Sequence, residues 1–140
     1  MHRTCIGIID ATRARLFTLD RNADGGTVHE DMVEVVDLVN PARHLPASRG
    51  FPYDDHGDAR MAELDRTFAK QIAKEIGGIL ADRRARRLVV CATPGMLGEL
   101  RQAASFARDG LEIEEIARDL AQLTAPQIRT KLGEYGVLPA

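Results

Sequence analysis

Two short apolar runs, TCIGII at residues 4–9 and RLVVCA at 87–92, flank the longest stretch of helical periodicity in the chain. Each run is rich in β-branched residues and shows no alternation, as a strand covered on both faces does. From about Asp58, Met61, Leu64, Phe68, Ile72, Ile76 and Leu80 fall at i, i+3 and i+4 steps along one stripe, the mark of a helix resting one face on a core. A buried strand, a crossover helix and a second buried strand form a parallel pair, and such crossovers are right-handed. The fold class this predicts is α/β.

The remaining elements follow from local pattern. From Arg13, Ala14 and Leu16 alternate with Arg15, Phe17 and Leu19, which suits a second strand antiparallel to the first. Asp24-Gly25-Gly26 supplies a turn, and Val28, Met32, Val33, Val35 and Val36 mark a third strand over residues 27–38. Thr93-Pro94 opens a second helix whose inner face carries Met96, Leu97, Leu100, Ala104 and Phe106, with Gly110 as its stop. Leu111, Ile113 and Ile116 suggest a last strand, and Thr124-Ala-Pro-Gln127 is a capping box opening a short helix. The predicted order is β-β-β-α-β-α-β-α, a mixed sheet in one domain spanning residues 1–140.

Composition narrows the function. A chain of 140 residues buries roughly 68–70% of its extended surface, enough for one core. With no Trp, two Tyr and four Phe, it lacks a broad aromatic platform for stacking bases. Its net charge of −2 gives no global field for a polyanion, so any nucleic-acid contact must be local. Cys5 and Cys91 each sit inside an apolar run and read as buried thiols. The apolar run after His2 and Arg3 is too short for a secretory signal and no stretch is long enough to span a membrane, so a reduced, cytoplasmic protein without a membrane partner is expected.

The third strand is followed by an aperiodic polar loop over residues 40–58, carrying Pro41, Pro46, Pro52, Gly50 and Gly57. A loop this long is uncommon inside a compact domain and is usually functional or disordered. Arg43, His44, Arg49, Tyr53 and His56, with Arg13 and Arg15 in the opening hairpin, could contact phosphates and stack on a base, against the plainer reading of a solvated loop. Asp54, Asp55, His56 and Asp58 could hold a divalent metal such as Mg²⁺, Mn²⁺ or Zn²⁺, against turn chemistry with Asp58 as N-cap. Asp10, ending the first strand, could add a metal-binding carboxylate, but a local turn hydrogen bond is favoured. Thr93-Pro-Gly-Met-Leu-Gly could present backbone N–H groups to an anion, although ordinary capping is the preferred reading. The four arginines of DRRARR at 82–87 read as a solvated helix end.

Four phrases, in order, resemble the bacterial host-attachment protein family, grouped with release-factor-like proteins of bacteria and archaea. They are Asp10-Ala-Thr-Arg-Ala-Arg-Leu-Phe17, His56-Gly-Asp, Leu88-Val-Val-Cys-Ala-Thr-Pro-Gly-Met-Leu-Gly-Glu-Leu100 and Asp119-Leu-Ala-Gln-Leu-Thr-Ala-Pro-Gln127. The resemblance implies a ribonuclease-H-like fold similar to the middle domain of class-I release factors, and a role in binding RNA or the ribosome. Release factors carry a Gly-Gly-Gln tip before the long helix; here Asp54-Asp55-His56-Gly57-Asp58 occupies the comparable stretch and no Gly-Gly-Gln occurs, which speaks against peptidyl-tRNA hydrolysis by that route.

The expectation is therefore a non-enzymatic, cytoplasmic module that binds RNA or the ribosome through the loop and neighbouring arginines, with no cofactor. The alternatives are a metal-dependent hydrolase, such as a phosphodiesterase, using Asp10 and the acidic cluster, and an adaptor or homo-oligomer using an exposed sheet edge.

Overall fold

The computed structural model describes residues 3–24, 26–40, 55–106 and 110–138, and its sheet is built outward from β1 (Arg3–Ile9). On one side β1 pairs antiparallel with β2 (Arg13–Asp24), which pairs antiparallel with β3 (Thr27–Val39). On the other it pairs parallel with β4 (Arg87–Ala92), and β4 pairs parallel with β5 (Glu112–Ile116). The order β3-β2-β1-β4-β5, antiparallel on one half and parallel on the other, is the ribonuclease-H-like arrangement of a mixed sheet.

Helices cover both faces: the two crossovers that parallel pairing requires lie on one, and the last helix covers the other. On one face α1 (Asp55–Asp82) and α2 (Pro94–Ala103) bury Phe68, Ile72, Ile76, Leu80, Met96, Leu97 and Leu100 against Cys5, Ile9, Leu16, Leu88 and Val90. On the other, α3 (Ala125–Glu134) and the chain after it bury Ile128, Leu132, Val137 and Leu138 against Ile6, Ile8, Phe17, Val89 and Cys91. Truncating one of these fully buried isoleucines or leucines to Ala costs about 2–5 kcal/mol. Gly7 lets α1 settle onto the centre of the sheet: a Cβ there would lie 3.2 Å from Ile9 Cδ1 and 3.9 Å from Ile76 Cδ1. The capping box of Thr124 forms as expected, with Gln127 N donating to Thr124 Oγ1 and Thr124 N donating to Gln127 Oε1.

Two boundaries differ from expectation, and one strand carries a bulge. The helix α1 begins at Asp55, so Asp55, His56 and Asp58 lie in its first turns and Asp58 is not its N-cap. Carboxylates are stabilised at that end by the helix dipole, which accounts for the earlier start. The helix α2 stops at Ala103 instead of running on to Gly110, with Ala104 extended at φ −161°. Phe106 still packs on the core from the chain beyond it. A helix of ten residues is shorter than the strand before it needs, at about 1.5 against 3.3 Å per residue, and the chain leaves it extended at Ala104. In β3 the register shifts opposite Leu16 and Phe17, a bulge that turns Val36 and Leu38 to the α1 face while Met32 faces the other.

The two cysteines lie on opposite faces of the sheet, and burial pushes each thiol up to about 12 from an ordinary 9.0. Native protein should show no reaction with a disulfide reagent at neutral pH, and two thiols in denaturant; one reactive native thiol would contradict the burial. Because the folded-state thiol values are raised, their contribution to stability is complete below about pH 9 and lost as pH rises toward 12. Denaturant midpoints measured above pH 9 should fall accordingly.

Candidate functional site at the carboxyl ends of β1 and β4

Because Ile9 and Ala92 are partners in the parallel ladder, the chain leaves both strands at the same pole, bringing Asp10 beside Thr93. Asp10 is buried there and its Oδ1 accepts hydrogen bonds from Thr12 N, Thr12 Oγ1 and Arg13 N at 2.8, 2.7 and 2.7 Å. Its own N donates to Arg13 O at 2.9 Å, closing the turn between β1 and β2. The carboxylate thus does the work of a turn, the favoured reading of its position.

The deepest polar group at this pole is Asn40, 2% exposed. Its N donates to Thr12 O at 2.8 Å, and its Nδ2 donates to Ala11 O at 2.9 Å and Asp65 Oδ1 at 3.4 Å. One side chain therefore clasps the hairpin turn, the end of β3 and α1. Sequence pattern marks Asn40-Pro41 only as a strand stop; the clasp depends on partners 25 and 29 residues away. Asp65, off the apolar stripe of α1, is half-buried by the same contact.

The hairpin arginines part company. Arg13 makes a two-pronged pair with Asp37, at 2.9 and 2.7 Å, on the surface. Hydrogen bonding to that guanidinium holds the Asp37 carboxyl below its ordinary value, and the same bond raises Arg13. Arg15 is buried instead. Its Nε donates to Glu34 Oε1 at 2.6 Å, its Nη1 donates to the carbonyls of Leu123 and Ala121, and its guanidinium lies 5.2 Å from the Phe17 ring centre. Arg15 ties the sheet to the segment before α3, with its Nε and Nη1 engaged within the fold.

Arg43, His44, Arg49, Tyr53 and Asp54 lie outside the described residues, and of Asp55, His56 and Asp58 only the helical backbone is described. Among the described residues no three His, Cys, Asp or Glu side chains gather as a metal site. The start of α2 adds the remaining feature of the pole. Thr93 makes no side-chain cap, Pro94 follows it, and no acidic residue lies in the first turn. Gly95 has open space where a Cβ would stand. The positive end of that helix is therefore free to meet an anion.

Residues 5–132 match the model of a family described as protein required for attachment to host cells. The chain belongs to that family. No curated protein matches it in sequence. Solved structures with a similar backbone include the type II variant of the Ppx/GppA phosphatase of Aquifex aeolicus, at 14% identity and a TM-score of 0.47 over 83% of this chain and 36% of that one. A second structure of the Aquifex aeolicus Ppx/GppA family member matches at 14% identity and a TM-score of 0.42, over 82% of this chain and 35% of that one. The host-attachment chain thus spans little more than a third of the length of these structures. No helix among its described residues is long and apolar enough to cross a membrane.

The turn role of Asp10 needs an acceptor oxygen, not a charge. Asp10→Asn should keep most of the stability measured by urea unfolding, whereas Asp10→Ala should lose about 1–3 kcal/mol by stranding buried donors. Equal losses in the two would show that the carboxylate charge itself is needed. Arg15→Ala, which strands the carbonyls of Ala121 and Leu123 without their donor, should cost about 1–3 kcal/mol in the same assay.

Proposed function

We propose that this host-attachment family protein is a non-catalytic RNA-binding module, acting in the cytoplasm, that docks RNA at the pole where β1 and β4 end. The in-register pairing of Ile9 with Ala92 carries the reading. It sets the uncapped start of α2 and Arg13 at one end of the sheet, and in the sequence Asn40, at that same end, leads into the stretch with Arg43, His44, Arg49 and Tyr53. A helix N-terminus meets a phosphate with backbone donors, arginine meets it with a fork of N–H groups, and tyrosine offers a face to an unpaired base. The likeness of the chain's phrases to release-factor-like proteins supports RNA, free or within the ribosome, as the partner.

Binding is read by anisotropy of a labelled single-stranded RNA and by co-sedimentation with ribosomes at low salt. Arg43→Ala with Arg49→Ala should weaken binding and make the slope of log K against log salt shallower by about 1 to 2, one backbone contact per arginine. Gly95→Asp places a carboxylate in the first turn of α2, where space is open, and should weaken binding without lowering the melting temperature. A wild-type protein that sediments free of ribosomes at low salt and shows no RNA affinity would overturn the reading.

A further inference from the structure

At the opposite end of the sheet, where β1 and β4 begin, lies a cleft of about 400 Å³. We propose that it binds a phosphate monoester carried on a small sugar, such as ribose 5-phosphate or a nucleoside monophosphate. Four guanidinium side chains line it, those of Arg3, Arg21, Arg86 and Arg87, over an apolar floor that includes Leu19 and Leu138. Among the lining residues four guanidinium groups stand against the carboxylates of Glu30 and Glu112, a net positive lining in a protein whose net charge is −2. The volume falls within the range of small-ligand pockets, which is too small for a duplex and ample for one phosphorylated sugar.

The four arginines are not equivalent. Arg3 is held by Asp20 at 3.3 Å and donates to the carbonyl of Arg83. Arg87 donates to Glu114 Oε2 at 2.8 Å and to the carbonyl of Val137. These two are fixed by the fold and shape the wall. Glu30, the nearest carboxylate on β3, is taken by Arg129 at 2.7 Å. Arg21 and Arg86 are exposed, and among the described residues neither guanidinium has an ion pair, so these two are the forks offered to a phosphate. The backbone holds them in place: Arg86 N donates to Arg3 O at 3.0 Å, and Arg21 is the ladder partner of Glu30. Glu112, exposed at the rim, has no ion pair among the described residues and suits the hydroxyl donors of a sugar. This site stands apart from the RNA pole, and its failure would leave that reading untouched.

The test is calorimetric titration of the full chain with ribose 5-phosphate, AMP and inorganic phosphate. Both sugar phosphates should saturate, and Arg21→Ala and Arg86→Ala should each weaken them about tenfold, the effect of losing one charged hydrogen-bonding group. Arg86→Lys should recover part of the loss. Glu112→Ala should weaken ribose 5-phosphate while leaving inorganic phosphate unchanged or tighter. No saturation by either sugar phosphate below roughly 10 mM, or binding indifferent to the arginine substitutions, would overturn the proposal. Inorganic phosphate binding as tightly as ribose 5-phosphate would overturn the assignment of a sugar carrier.

Discussion

The parallel pairing of β1 with β4, in register from Thr4 opposite Arg87 to Ile9 opposite Ala92, is the constraint on which the rest of the molecule depends. It forces the chain to cross one face as α1, and it leaves both strands buried from two sides. Their side chains must then be apolar in every position, which is why neither run alternates. It also aligns the strand ends: Asp10, Asn40 and Thr93 gather at one pole, Arg3 and Arg86 at the other. The middle of the β1–β4 pair is packing, and polar side chains collect at its two ends.

Polar groups inside the structure serve this sorting. Arg15 is the instructive case, because burying a guanidinium is costly unless every donor is met. Glu34 takes its Nε, two carbonyls take its Nη1 and the Phe17 ring lies 5.2 Å away, and the result is a cross-link between the antiparallel half of the sheet and the segment entering α3. The pair between Arg129 and Glu30 makes the same connection one turn further along α3. Asn40 does for the α1 face what Arg15 does for the other, with a neutral amide where less charge needs compensation. Both faces are thereby held to β2 and β3 by one buried polar side chain apiece in addition to the apolar contacts.

What could be read from the sequence is what local chemistry decides. The strand 87–92 is bounded by arginines before it and Thr-Pro after it, and the structure ends it at the same residues. The stripe from Phe68 to Leu80 faces the core as its period requires. The turn role of Asp10 was likewise legible, because its partners lie two and three residues on. Arg15 and Asn40 were not. In an alternating strand Arg15 looks like a solvent-facing position, and only carbonyls 106 and 108 residues away make it interior. The same holds for the arginine cleft: DRRARR reads as a solvated helix end until β1 and β2 bring Arg3 and Arg21 beside it. Long-range partners, not residue types, separate a structural arginine from one free for a ligand.

Backbone amide NMR of the labelled protein, titrated in turn with single-stranded RNA and with ribose 5-phosphate, tests most directly whether the sheet has two separate binding poles. With RNA, shifts should gather at Ala11, Thr12, Gly95 and Met96; with ribose 5-phosphate, at Arg21, Arg86, Glu112 and Leu138. The central amides of β1 and β4 should stay still in both. A single shared set of shifts for the two ligands, or none at either pole, would contradict the assignment of separate chemistry to the two ends of the sheet.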